Sequence, residues 1–228
     1  MQPLQSLQPA VSEDAEAGPD TTAGAEALSV MSEVMRVLAK SGTNLVGEVL
    51  RASSAQDGFD VWDHLPPGDA QDAETGAQWY YHAHPPTQGG DGPHDGEHGH
   101  FHLFVRHGED REKITHLCGV AMTPEGTPTQ LFATNRWVTG EDWLPADETA
   151  ALMDRFEVDD VRPSWPVNLW LGALVRLYGA EIARMLRLRD AAIDARGGAT
   201  EEVLEDRSLE VAATQPVDLV AKADALGL

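Results

Sequence analysis

Residues 79–86 read WYYHAHPP, and after a Gly/Pro/Asp-rich connector residues 97–105 read EHGHFHLFV. Five histidines alternate with other residues here: His82 and His84, then His98, His100 and His102. Successive side chains of a β-strand point to opposite faces, so this spacing puts each set on one face of its strand. Trp79, Tyr81 and Ala83, and then Phe101, Leu103 and Val105, take the other parity. The pattern predicts two strands with a histidine face and an apolar face, the latter against helices.

Working outward, strand-like segments follow at 77–84, 98–107, 114–122 and 130–138. The connectors between them are 85–97, GEDREK and TPEGTP. Six-residue connectors suit antiparallel hairpins and are too short for helical crossovers. The longer first connector suggests a cover over the histidine face. Upstream, Leu28, Met31, Val34, Met35, Leu38, Leu45, Val46 and Val49 recur at helical spacing, with a break at Ser41-Gly42. The stretch 52–76 reads as turns and loop around a short apolar island at Phe59, Val61 and Trp62. Downstream, Asp147 is placed to cap a helix reaching Phe156. Residues 167–196 then form one long helix, or two meeting near Gly179, ended by Gly197-Gly198. The expected fold is α+β: an antiparallel meander of about four strands, flanked by N-terminal and C-terminal helices. The expected organisation is a disordered acidic tail over 1–24, one globular domain over 25–196, and an acidic, weakly helical tail over 197–228.

The 228 residues carry a formal charge of -22. A field of that sign repels phosphate backbones and anionic lipid heads, so neither nucleic acid nor a membrane surface is an expected partner. Cys118 is the single cysteine, which excludes an intrachain disulfide and any zinc site needing two cysteines. The first twenty residues have neither a basic n-region nor an apolar h-region, and the apolar run 167–177 is too short to span a bilayer. A cytoplasmic protein is expected; nothing in the sequence fixes its oligomeric state.

All nine histidines lie between His64 and His116. If the strands pair as a meander, His82, His84, His98, His100, His102 and His116 can converge on one face. Same-face neighbours on adjacent strands have Cβ atoms about 5 Å apart, close enough for imidazoles to share a metal. The expected cofactor is a transition metal, zinc or iron, with Glu97, Asp95 or Cys118 as a further ligand or acceptor. On an unbroken third strand Ile114, His116, Cys118 and Val120 share one face. Arg136 shares parity with Phe132 and Thr134, which suggests a clamp on the carboxylate or phosphate of a small ligand; a buried pair with Glu141 is the structural alternative. Trp137 and Trp143 read as packing residues, or as a pocket wall.

Residues 98–104, HGHFHLF, resemble the histidine-triad hydrolase and transferase signature. That resemblance implies that His100 attacks phosphorus while His98 and His102 support it. WYYHAHPP, EHGHFHLFV, LFATNRWVTGE and VNLWLGALVRL together resemble an uncharacterised bacterial domain family, which implies neither a reaction nor a fold. Three functions stay open: a metal-binding protein or metal-dependent enzyme acting on a small acid or phosphate, a histidine-triad-like enzyme, and a non-catalytic binding module.

Overall fold

The computed structural model describes residues 21–52, 63–84 and 96–228. The expected N-terminal tail up to residue 20, the apolar island at Phe59, Val61 and Trp62, and most of the connector with His94 and Asp95 lie outside them. Helices α1 (Thr21–Lys40) and α2 (Leu45–Ala52) come first. Strands β1 (Leu65–Gln71), β2 (Ala77–Ala83), β3 (Gly99–His107), β4 (Lys113–Met122) and β5 (Pro128–Thr134) follow. Short helices α3 (Arg136–Thr139) and α4 (Ala146–Ala150) and a 3-10 turn lead to α5 (Trp165–Leu177) and α6 (Gly179–Asp194). The chain closes with α7 (Thr200–Leu204), β6 (Val211–Pro216) and α8 (Leu219–Leu226).

The six strands form one antiparallel sheet in the order β1-β2-β3-β4-β5-β6. The four expected strands are its centre, and the two additional ones are its edges. β1 hides in LPPGDAQ because only its ends pair: Leu65 opposes Tyr81 and Ala70 opposes Trp79, and the residues between bulge out through Gly68 and Asp69, both at positive φ. β6 lies beyond residue 196, in the segment expected to be a tail. Its VAATQP carries little apolar signal, and its partner β5 supplies the order, with Phe132 opposite Thr214. α8 then packs back on α1, and Leu219, Ala223 and Leu226 reach the core.

One face of the sheet meets the helices. Trp79, Tyr81, Phe101, Leu103, Val120 and Leu131 are fully buried there, each side chain contributing about 1.5–3 kcal/mol by leaving water. α5 is apolar nearly all round because it lies between the sheet and α1, which buries Leu28, Met31, Val34 and Leu38 at helical spacing. Asn168 of α5 accepts a 3.0 Å hydrogen bond from the Trp79 indole, so β2 is pinned to the helical layer. α5 and α6 are separate helices that meet at Tyr178. Among the described residues no helix is long and apolar enough to cross a membrane.

Candidate metal centre

On the face away from the helices, β2 and β3 are in register so that His82 opposes His100 and Tyr80 opposes His102. Just past β2, the His84 backbone N–H donates to the His98 carbonyl at 2.9 Å, which carries the pairing one residue further. His84 thus stays on the His82 side. The ring centroids are 4.2 Å apart for His82 and His100, 4.7 Å for His84 and His100, and 5.4 Å for His82 and His84. One ring nitrogen from each of the three lies within 4.8 Å of the others. His84 Nε2 and His100 Nδ1 are 3.0 Å apart. Two nitrogens bound to one tetrahedral ion stand roughly 3.3 Å apart, so this pair needs little movement to share a metal. Glu97 adds a carboxylate, with Oε1 2.6 Å from His100 Nδ1 and 3.5 Å from His84 Nε2.

Deeper in the sheet lies a second group. His102 Nδ1 and His116 Nε2 are 3.0 Å apart, and His116 Nδ1 is 3.3 Å from the Thr134 hydroxyl. Both imidazoles are buried, and burial holds both pKa values down, His102 well below the ordinary range and His116 to about 3. They are therefore neutral at physiological pH. The His116 backbone N–H donates to Glu141 Oε2 at 2.7 Å, and burial pushes the Glu141 carboxyl up to about 7.

A β-bulge decides which β4 residues join this face. Leu103 opposes Cys118 but Phe104 opposes His116, so Leu117 is an extra residue and the alternation shifts there. His116 falls on the histidine face, while Cys118 is fully buried in the helix-facing core. Cys118 is thus removed from the candidate ligands, and burial raises its thiol to about 12. His98 is not brought to the cluster either. Its Nδ1 is 2.8 Å from the hydroxyl of Tyr81, a residue of the opposite face. Arg136 also departs from expectation. The strand ends at Thr134, and Asn135 turns the chain by capping α3 through its own side chain while donating to the Val203 carbonyl. Arg136 consequently pairs with Glu201 and Glu205, each at 2.9 Å, away from the histidines.

A family model matches residues 25–217, from within α1 to the residue after β6, and so takes in all six strands. The chain belongs to the DUF6969 family, a domain of unknown function. No curated protein and no solved structure matches it.

In the DUF6969 domain the histidines open onto a cavity of about 680 Å³. Its floor follows from register. His102 opposes Gly119, Gly119 opposes Phe132 and Phe132 opposes Thr214, so one row crosses from the histidines to the sheet edge. Two small residues on β4, Gly119 and Ala121, make a trough in which the Phe132 ring lies edge-on to His100 at 5.0 Å. Trp137 and Val138 of α3 and Glu210 and Val211 at the start of β6 form the far wall. Trp137 is the pocket wall that its sequence context offered as an alternative. Trp143 packs instead under the Arg189 guanidinium, 3.9 Å from its ring centroid. Glu210 and Thr214 carry no local signal, because only the pairing of β6 with β5 brings them here.

Proposed function

We propose that the DUF6969 domain binds a transition-metal ion at His82, His84 and His100, with Glu97 as the oxygen donor. The observation that carries this reading is the convergence of three imidazole nitrogens within 4.8 Å beside a carboxylate. Three imidazole nitrogens and one carboxylate oxygen suit zinc or ferrous iron, and the carboxylate offsets part of the ion's charge. His102 and His116, held neutral behind the ligands, keep added positive charge away from the ion. An ion in such a site supplies Lewis acidity or an activated water. The cavity gives a small molecule access to it, which makes a metal-dependent enzyme the natural extension of the binding reading. With one buried cysteine and no disulfide to form, the reducing cytoplasm is the setting we favour.

The histidine-triad alternative loses support at His98. Its imidazole is engaged with Tyr81, so the three alternating histidines do not form one row. The deciding experiment is elemental analysis of tag-free protein, with zinc and ferrous iron each offered in turn. One equivalent of metal, lost in His82→Ala, His84→Ala and His100→Ala, is expected. A substoichiometric trace in wild-type protein after metal is offered would overturn the assignment.

A further inference from the structure

All sixteen lysines and arginines of the chain fall within the described residues, and none of them lines the cavity in front of the histidines. The segments outside the description, 1–20, 53–62 and 85–95, contain acids and no lysine or arginine. No lysine or arginine of those segments is therefore left to complete the pocket. Two arginines next in sequence to lining residues or stacked on one are already committed. Arg136 is held by Glu201 and Glu205, and Arg207 lies over the Trp137 ring at 5.4 Å.

What does line the cavity is one-sided. Glu97 stands at the histidine end, and Glu210 at the far rim makes no side-chain hydrogen bond or ion pair among the described residues. Between them lie Phe132, Trp137 and Val211. Aromatic faces and carboxylates attract cations, and away from the histidine end the wall offers an anion no lysine or arginine to pair with. The charge of -22 on the whole chain adds a field of the same sign, which concentrates cations at the mouth.

We propose that this cavity takes a small organic amine: a cationic head held at the Glu210 end, and an apolar body lying on Phe132 and Val211. The proposal rests on the metal reading, since the other end of the ligand then meets the ion held by His82, His84 and His100. It replaces the small acid or phosphate that Arg136 would have clamped.

The test uses the full-length protein, both metal-free and metal-loaded, and two probes of similar shape and opposite charge, phenethylamine and hydrocinnamate, in titration calorimetry at neutral pH; the preference is read on the metal-free protein, where the acid has no ion to ligate. Phenethylamine is expected to bind the metal-free protein at least about tenfold more tightly than hydrocinnamate, because the same wall attracts one and repels the other. Glu210 is exposed, so its substitution leaves the fold in place. Glu210→Gln is expected to weaken the amine about two- to fivefold, as befits a solvent-screened pair, and Glu210→Lys to narrow or reverse the preference. Equal or tighter binding of hydrocinnamate, no binding of phenethylamine at millimolar concentration, or a preference unmoved in Glu210→Lys would overturn the proposal. Metal content measured on the same samples reports separately on the ion site, so loss of one reading is not mistaken for loss of the other.

Discussion

The Phe132 ring lies so close over Gly119 that a Cβ on Gly119 would stand 2.1 Å from Phe132 Cζ. Glycine is required at this place by contact and not by backbone conformation. The same ring touches His100 and His102 edge-on, at 5.0 and 5.7 Å between centroids, so Gly119 sets the floor of the cavity and one wall of the histidine cluster together. Gly119→Ala is expected to cost about 1–3 kcal/mol of stability, as overpacked sites do, and to weaken metal binding by displacing the His100 ring. Urea unfolding of the metal-free protein and metal competition with a chromophoric chelator separate the two effects. Metal affinity unchanged in a folded Gly119→Ala protein would mean that Phe132 moves away from the histidines, not toward them.

The strand geometry divides the alternating histidines into unequal members. His82, His84 and His100 each offer a nitrogen to a common point, whereas His98 is engaged with Tyr81. Alanine at any of the three proposed ligands is expected to lower metal affinity by more than about 100-fold, beyond what loss of an outer hydrogen-bond partner costs. His98→Ala should keep full metal stoichiometry. Equal losses at all four positions would show that His98 turns inward when the ion binds.

Alternation alone located the histidine face and the core face of β2 and β3, because all of β2 pairs with β3 without a bulge, from Ala77 opposite Val105 to Ala83 opposite Gly99. It failed where the ladder is interrupted. On β4 the extra residue Leu117 inverts the parity of everything after it, which separates Cys118 from His116. After β5 the chain leaves the sheet at Asn135, so the parity that linked Arg136 to Phe132 has no strand to act through. Both edge strands were illegible for a different reason. β1 pairs only at its ends and β6 is polar, so their order comes from partners distant in sequence. The cavity inherits that limit, since Glu210 reaches it only through β6.

Cys118 and Arg136 provide controls that the structure makes independent of the metal. Cys118 is fully buried and its thiol is pushed up to about 12, so the native protein is expected to resist a thiol-reactive disulfide reagent at pH 8 and to react once in urea. Cys118→Ala should retain full metal content. Arg136→Ala removes only a partly exposed pair with Glu201 and Glu205 and is expected to cost less than about 1 kcal/mol, again with metal content intact. Loss of metal in either variant would place that residue nearer the ion than the geometry allows.

Acid should act on the buried network through two groups of opposite sign. The folded-state pKa of His116 is lowered from 6.5 to about 3, so its contribution to stability is complete above pH 6.5 and is lost as pH falls toward 3. At pH 5 that loss is about 2 kcal/mol, and His102, also held low by burial, adds to it. Glu141 runs the other way. Its pKa is raised from 4.5 to about 7, so its contribution is complete below pH 4.5 and is lost as pH rises through 7. Between pH 7 and 5 the two trends oppose each other. Glu141→Gln keeps an oxygen to accept the His116 backbone N–H but removes the titration, so it is expected to lose more stability than wild type on acidification from pH 7 to 5. Urea unfolding with chelator present, at both pH values, measures this without interference from the ion. A smaller acid loss in Glu141→Gln than in wild type would mean that Glu141 is ionised in the folded protein at pH 5, with its charge met by Arg189 or by the His116 backbone.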